Sequence, residues 1–451
     1  MKIIILGCGK VGTALAGRLS EENHSITVID NRSEKVDYCT EKFDVMGIVG
    51  NGSSISVLNE AGLNEADVFI SVTGTDEVNL LCCMFAKKAG KCRAIARVRN
   101  PEYFKEMDFI QEQLGITTTI NPEMATAREI YQLLMFPGAL KIDSFAEGKA
   151  RIIKFQLDEA PILRGTCLRD IALRLKENIL ICCVQRGQSV IIPDGDFVLH
   201  RNDIISFIST PESATHFFKT IGVETKPVRN SLIVGGGRIG YYLAHSLIES
   251  GVDVRLIDID KKKCNELSVS LPKATILKGD ATDREFLIQE GLELTDSFVS
   301  LTGLDEENIM LGLFASQHSR AKVVTKVNRL EFDDILQNLD IGSTVFPKHI
   351  TSDFIIQYVR ALETKAGSTL KTMYRILDDR VEALEFTITK DSAFTGVPLH
   401  ELMLKPNTLI ACINRGGKII IPRGSDTIKV GDSVIVVTLE HGHEDFRDFV
   451  R

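Results

Sequence analysis

The chain has 451 residues, enough for roughly two to four domains. Hydrophobic residues make up 44% and charged residues 25%, the balance of a soluble globular protein, which excludes a disordered or collagenous chain. The formal net charge is −8 and no run of five like charges occurs, so nucleic acid is not an expected partner.

Trp is absent and aromatics are 6%, so the cores must rest on Ile, Leu, Val and Ala, a composition that suits parallel sheets buried on both faces. No apolar run approaches the roughly 20 residues that cross a bilayer. Residues 1–7 resemble a secretion signal only briefly. Gly7 and Gly9 interrupt them and no small-residue cleavage site follows, so they read as a first buried strand of a cytosolic protein. Ten cysteines occur without a Cys-x-x-Cys or zinc-type spacing, which predicts reduced, buried thiols and no metal site.

In chain order, short Ile/Val-rich runs at 2–6, 26–30, 45–49, 67–72 and 93–98 alternate with helical patterns. That alternation predicts βαβ units and a doubly wound parallel sheet. A long helix is predicted over 122–135, stopped by Pro137-Gly138. The texture then changes. Short β-like runs at 150–157, 179–184, 189–192 and 204–208 are separated by turns at Arg186-Gly187 and Pro193-Asp194-Gly195-Asp196, which predicts a compact α+β lobe.

The whole pattern then repeats. Gly7 maps to Gly235 and Asp30 to Asp258, both at an offset of 228. Asn51 maps to Asp280, Thr73 to Thr302, Gly74 to Gly303 and Asn79 to Asn308, all at 229. Ile192-Pro193-Asp194-Gly195 maps to Ile421-Pro422-Arg423-Gly424, again at 229. One single-residue indel therefore relates two half-chains, a period far too long for a solenoid. The seam is expected near Glu224-Thr225-Lys226-Pro227, and the second α+β lobe over about 370–440. Four lobes are expected in tandem: 1–138 and 227–366 as Rossmann-like α/β domains, 139–226 and 367–451 as the small lobes that follow them.

Gly7-Cys8-Gly9-Lys10-Val11-Gly12 and Gly235-Gly236-Gly237-Arg238-Ile239-Gly240 each follow a strand and open a helix. In such a loop the first glycine permits the tight turn, the second lets a pyrophosphate approach the backbone, and the third lets the helix pack on the sheet. Phosphate then meets unpaired N–H groups at the helix start. An Asp ends the second strand 23 residues after the first glycine in both copies, placed for an adenosine ribose. A carboxylate there repels a 2′-phosphate, which favours NAD(H) over NADP(H). Lys10 and Arg238 share one loop position, where a cation reaches a phosphate oxygen or simply stands in solvent at a helix start. Asn51 and Asp280 follow the third strand, where a polar side chain meets adenine. Thr73-Gly74 and Thr302-Gly303 follow the fourth, at the carboxyl edge where ligands bind or as plain turn residues. Arg97 and Arg99 end the fifth strand, with Lys326 and Asn328 in their places in the second copy. They are candidate phosphate ligands from the same or a neighbouring subunit, or surface ion pairs, and the replacement suggests sites of different ligand preference.

No GxxxxGK[ST] loop is present, so P-loop phosphoryl transfer is not expected. No histidine recurs between the halves, and His441-x-His443 reads as surface. The small lobes repeat no nucleophile–base set, so no catalytic residue is assigned and an enzyme is not expected. Cys8 faces Gly236 across the repeat and reads as a small apolar filler and not a redox switch.

The run 3–12, Val28-Ile29-Asp30, Val49-Gly50-Asn51-Gly52, Ala96-Arg97-Val98-Arg99-Asn100-Pro101 and Gly279-Asp280-Ala281-Thr282 resemble the TrkA family, the peripheral nucleotide-binding subunits of Trk potassium uptake systems. The resemblance covers essentially the whole chain. It implies tandem RCK (KTN) domains, each a Rossmann N-lobe with a small α+β C-lobe. It also implies docking on the cytoplasmic face of an integral membrane potassium transporter subunit and self-association into a ring, a homotetramer. Ligand residues implied by resemblance are the two loops at 7–12 and 235–240, with Asp30, Asp258, Asn51, Thr73, Asp280 and Thr302. The first copy carries Asn51-Gly52-Ser53-Ser54 in place of an acidic Gly-Asp-Ala pattern, and Asn31-Arg32 after Asp30. NAD or NADH is the expected ligand, and these departures keep ATP, ADP or AMP as alternatives at one or both sites. The expected function is nucleotide-dependent gating of a Trk-type potassium uptake protein. An NAD-dependent oxidoreductase, or a regulator of another cation channel or antiporter, are the competing readings.

Overall fold

The computed structural model describes the chain except residues 23, 91, 147–148, 158–159, 176–177, 224–226, 329–338, 340, 364–369, 377–379, 441–442, 444 and 451. The expected seam at 224–226 and His441 lie outside the described residues. Among the described residues no helix is long and apolar enough to cross a membrane.

The first half begins with β1 (Lys2–Leu6), α1 (Lys10–Glu21), β2 (Ser25–Asp30), α2 (Ser33–Lys42), β3 (Met46–Val49) and α3 (Ile55–Glu60). It continues with β4 (Val68–Ser71), α4 (Asp76–Ala89), β5 (Arg93–Arg97), α5 (Pro101–Lys105), α6 (Met107–Leu114), β6 (Thr118–Ile120) and α7 (Pro122–Met135). Then come β7 (Lys141–Phe145), β8 (Ala150–Gln156), α8 (Leu168–Leu175), β9 (Ile179–Arg186), β10 (Ser189–Ile191), β11 (Ile204–Ser209) and α9 (Pro211–Thr220).

The second half repeats this with β12 (Asn230–Val234), α10 (Arg238–Glu249), β13 (Asp253–Asp258), α11 (Lys261–Ser270), β14 (Thr275–Lys278), α12 (Arg284–Gln289), β15 (Ser297–Ser300), α13 (Asp305–His318), β16 (Lys322–Lys326), β17 (Ser343–Val345) and α14 (Pro347–Glu363). It closes with β18 (Leu370–Ile376), β19 (Val381–Thr387), β20 (Thr408–Arg415), β21 (Lys418–Ile420) and β22 (Ser433–Thr438).

The halves do not fold one after the other. The chain forms two compact units, each discontinuous in sequence: Met1–Ile130 with Asn230–Val359, and Tyr131–Arg229 with Arg360–Arg451.

The first unit holds two six-stranded sheets, ordered β3-β2-β1-β4-β5-β6 and β14-β13-β12-β15-β16-β17. Every pairing in them is parallel. Parallel strands need helical crossovers, which cover both sheet faces, so Ile3, Ile4 and Ile5 are all buried despite alternating sides. The order reverses between β1 and β4, and again between β12 and β15, opening a crevice at the carboxyl ends of those strands.

The second unit holds two five-stranded antiparallel sheets, β10-β9-β11-β8-β7 and β18-β19-β22-β20-β21. They share one core, in which Ile152, Cys182 and Ile208 of the first pack with Val381, Ala411 and Val437 of the second. The opposite faces bury Phe155 and Phe207 against Phe217 and Phe218 of α9, and Phe386 against Phe446 and Phe449. Thr210 caps α9 through the Ser213 N–H, and Pro211 occupies its first turn. Each fully buried Phe or Ile stabilises by about 2–3 kcal/mol.

A repeated ion pair ties each small sheet to its loop. Arg186 donates twice to Asp203, through Nε and Nη2, both at 2.8 Å, and Arg415 does the same to Asp432 at 2.8 and 2.7 Å. Burial pushes the Asp203 carboxyl up, but Arg186 and the His200 N–H outweigh it and hold it below its usual range. A depressed folded value means stability that is present above the unfolded pKa of about 3.9 and lost as pH falls through the folded value. Asp203→Asn is expected to cost about 3 kcal/mol in urea denaturation at pH 7. That cost is expected to shrink below about pH 4, where the unfolded chain's carboxylate takes up its proton, and to vanish below the depressed folded value.

Candidate functional site

Both crevices are built on a helix that starts without a cap. Helices α11 and α12 are capped by Asp260 and Asp283, and α4 and α13 carry acidic first turns. Helices α1 and α10 have Gly9 and Gly237 at the cap, no side-chain hydrogen bond there, and no acid in the first turn. Their leading N–H groups and positive dipole ends therefore face outward, with Lys10 or Arg238 as the first residue. A Cβ on Gly9 or Gly237 would meet nothing within 4 Å, so open space lies over the loop.

Two glycines make this geometry. Gly7 and Gly235 both take φ of 105°. A Cβ on Gly12 would stand 1.8 Å from the Gly7 carbonyl oxygen, and one on Gly240 2.2 Å from that of Gly235. Neither clash can be relieved, because the contacted atom is backbone. Val11 and Ile239 follow in the first helical turn, half-buried.

Asp30 and Asp258 end β2 and β13 and are buried against the loops. Asp30 accepts from the Cys8 N–H at 2.8 Å and the Arg32 N–H at 3.1 Å. Asp258 accepts from Gly236 at 2.8 Å, Asp260 at 2.9 Å and the Lys263 ammonium at 3.1 Å. Burial raises the Asp258 carboxyl, and these donors more than reverse that shift. Lys35, the counterpart of Lys263, is 3.9 Å from Asp30, so the first carboxylate is held less tightly.

Asn51 and Asp280 stand exposed past β3 and β14 and turn the chain. Asn51 accepts from the Ser53 N–H at 2.9 Å, and Asp280 from the Thr282 N–H at 2.9 Å and hydroxyl at 2.7 Å. The Thr282 bonds lower the Asp280 carboxyl below its usual value.

Thr73 and Thr302 lie across the crevice, with Thr73 against the Gly7 loop. Each is anchored by a buried asparagine. Asn79 Oδ1 accepts from the Thr73 N–H at 2.8 Å, the Thr73 hydroxyl at 2.7 Å and the Ser71 hydroxyl at 2.9 Å, while Nδ2 donates to the Arg97 carbonyl at 2.8 Å. Asn308 accepts from the Thr302 N–H at 2.8 Å and donates to the Lys326 carbonyl at 3.1 Å. Asp76 and Asp305 add a second tie, accepting from the N–H groups of Arg99 and Asn328 at 2.8 and 3.0 Å.

Arg97 and Lys326 point onto those same turns. The Arg97 guanidinium donates to the Thr73 carbonyl, and Lys326 Nζ donates to the Thr302 carbonyl at 2.6 Å and the Leu301 carbonyl at 3.2 Å. Burial, with Arg99 next, lowers Arg97 to about 10. Burial likewise lowers Lys326, with Asp305 opposing and Lys10 adding to the shift. The repeat thus keeps a cation on the threonine turn while changing its type.

Within this unit the two crevices meet. Asn121 donates to the Tyr242 hydroxyl at 2.9 Å, and that hydroxyl donates to the Arg99 carbonyl at 3.2 Å. Arg238 of the second loop is 4.0 Å from Glu123 at the start of α7, and Arg18 of α1 pairs with Asp353 of α14. Burial raises the Glu123 carboxyl despite Arg99, Arg238 and Arg97 around it. Each loop cation lies near enough to the strand-end cation of the other lobe to lower it: Arg238 acts on Arg97 and Lys10 on Lys326. Among the described residues no group of three or more His, Cys, Asp or Glu is placed to hold a metal.

Sequence reasoning noted the match of Asn79 to Asn308 without giving either a role. Recurrence of a polar residue inside an apolar helix was the available signal. Asp76 and Asp305 carried the same 229 spacing.

Two Rossmann-type crevices with uncapped glycine-loop helices, each chained to a small antiparallel lobe, define a tandem α/β and antiparallel two-lobe protein. TrkA-N domains match residues 3–122 and 231–347, and TrkA-C domains match 152–222 and 383–451. The chain belongs to the TrkA family. It is 32% identical over 447 residues to a Trk system potassium uptake protein TrkA homolog of Methanosarcina mazei, covering 97% of each chain. It is 32% identical over 440 residues to the Trk system potassium uptake protein TrkA of Haemophilus influenzae, covering 97% of this chain and 95% of that one. In fold it is similar to the GsuK RCK domain, with TM-score 0.64 and 21% identity over 97% of this chain and 92% of that one. The NAD-bound GsuK channel gives TM-score 0.64 and 19% identity over 97% of this chain and 76% of that one.

Asn79→Leu keeps the volume but leaves the Thr73 N–H and Arg97 carbonyl unpaired in the interior. Each such loss costs about 1–3 kcal/mol, so a stability loss of at least ~2 kcal/mol is expected in urea unfolding.

Proposed function

We propose that the chain is a nucleotide-sensing regulatory subunit that binds NAD(H) or adenine nucleotides in both crevices and gates a membrane potassium uptake protein of the Trk type. The observation that carries this reading is the pairing of each uncapped glycine-loop helix with a strand-end aspartate whose oxygens are oriented by the loop. A carboxylate offers about four acceptor positions. The Cys8 N–H of the loop and the Arg32 N–H before α2 take one on each oxygen of Asp30, which leaves one on each for a ribose diol. The pyrophosphate then falls over the open face of Gly9 or Gly237, at the positive end of α1 or α10. A 2′-phosphate would stand against the carboxylate, which disfavours NADP(H).

Sensing follows from the seam between crevices. A ligand shifts a conformational equilibrium only by its differential affinity for the two states. Lys10 and Arg238 face cations of the opposite lobe, so a phosphate bound at either loop removes a like-charge repulsion across the seam. Nucleotides of different phosphate charge remove it to different extents. Docking on the inner face of the membrane and assembly into a ring, a homotetramer, are proposed from the resemblance to the TrkA family; the names of the relatives support the potassium uptake role. Regulation and not catalysis is supported by the relatives, whose names describe Trk potassium uptake proteins.

Calorimetric titration with NADH, ADP and ATP tests this. Asp30→Ala and Asp258→Ala are each expected to weaken binding at their own crevice by roughly tenfold to a hundredfold, the worth of one or two charge-assisted hydrogen bonds. Unchanged binding in both single variants and the double variant would sink the proposal.

A further inference from the structure

The first glycine loop carries a thiol that the nucleotide reading does not use. Cys8 is 5% exposed, and Cys39 on α2 is fully buried. Thr13 joins them: its hydroxyl donates to the Cys8 carbonyl at 3.3 Å and lies 3.7 Å from Cys39 Sγ. The same two positions touch in the second lobe, where a Cβ on Gly236 would stand 2.4 Å from Leu267 Cδ1. Both pairs are related by the offset of 228, 8 to 236 and 39 to 267. The fold thus sets these positions face to face, and the first lobe fills both with sulfur.

The neighbouring Cys8 thiol pulls Cys39 down to about 6 against the burial that pushes it up, and Cys39, with burial, drives Cys8 well above an ordinary thiol. Other buried thiols behave differently: burial alone leads the upward shifts of Cys82, Cys83 and Cys182, which makes them poor nucleophiles.

We propose that Cys8 and Cys39 form a site of reversible oxidative modification, which a hydroperoxide converts to a disulfide that weakens the first crevice and spares the second. This rests on the nucleotide reading of that crevice. The Cys39 thiolate attacks one peroxide oxygen and the O–O bond breaks. Cys39 becomes a sulfenic acid, and the released hydroxide takes up the thiol proton as water. Cys8 sulfur then attacks Cys39 sulfur, the S–O bond breaks, and the departing hydroxide leaves as water with the Cys8 proton. Two thiols and one hydrogen peroxide give one disulfide and two waters. Joining requires the sulfurs to close to about 2.0 Å. That closure draws Cys8 onto α2 and pulls its N–H from the Asp30 carboxylate, now 2.8 Å away, and the phosphate-facing loop moves with it. Gly236 and Leu267 offer the second crevice no such linkage.

The test treats the reduced full-length protein with hydrogen peroxide and maps its digest by mass spectrometry. A peptide joining Cys8 to Cys39, two hydrogens lighter and separated by dithiothreitol, is expected. NADH titration in an Asp258→Ala background then reads the first crevice alone. Oxidation is expected to weaken it roughly tenfold or more, as loss of a charged hydrogen bond requires, and dithiothreitol to restore it. Cys39→Ala, and Cys39→Ser as a second variant, are expected to bind NADH when reduced and to keep that affinity after peroxide. No joined peptide, a joined peptide with unchanged affinity, or an equal loss in the Cys39 variants would overturn the proposal. The joined peptide is read whether or not nucleotide binds. Failure of the reduced protein to bind NADH therefore counts against the nucleotide reading and leaves the digest to decide the thiol pair.

Discussion

Helix α1 runs so close beneath the first loop that a Cβ at Gly12 would stand 1.8 Å from the Gly7 carbonyl, and α10 repeats the approach at Gly240. Everything in the two crevices depends on that contact. It lets the helix start lie against the end of the central strand, with its N–H groups unspent. It also brings the Cys8 or Gly236 N–H onto the strand-end aspartate. Because the sheet order reverses between β1 and β4, the Thr73 turn arrives on the other side of the same loop. A buried asparagine then fixes that turn to the next strand end.

The consequence is a crevice that is stiff around its glycine loop and charged where it meets its twin. Loop, aspartate and threonine turn are bound to each other through backbone groups, which leaves little room to adjust. The cations, by contrast, collect at the seam. Arg97 is half-buried and Lys326 buried, each donates to a carbonyl oxygen of its threonine turn, and both are lowered by burial. Bringing Lys10 and Arg238 toward them raises the local positive potential, which an anion relieves.

Much of this was legible in the residues. The parallel sheets announced themselves as Ile/Val runs between helical patterns, and the glycine loops, the aspartates and helix 122–135 stood where spacing put them. Three-residue β6 and the mixed run Lys141–Phe145 of β7 were not distinguished from loop, since neither shows enough alternation to declare a strand. Arg97 and Lys326 were legible as cations at a crevice, but their partners were not. Whether a guanidinium reaches a ligand or a carbonyl is set by a turn 24 residues away. Cys39 drew no notice for the same reason, as its neighbour Cys8 lies on another element.

The sequence by itself determined the repeat, the fold of each lobe and the composition of each crevice, because these follow from local periodicity and from glycines whose missing side chains are a local requirement. Only the tertiary structure decided how the lobes sort. Tandem order suggested four lobes in succession, whereas the two α/β lobes form one unit and the two small lobes another. The small sheets each have one face covered by their own elements and another that is apolar, and the twin sheet buries it. The α/β lobes meet through Asn121, Tyr242 and Arg99, residues the repeat does not share. Such pairing arises from complementary surfaces 121 and 143 residues apart, a relation that no local pattern records.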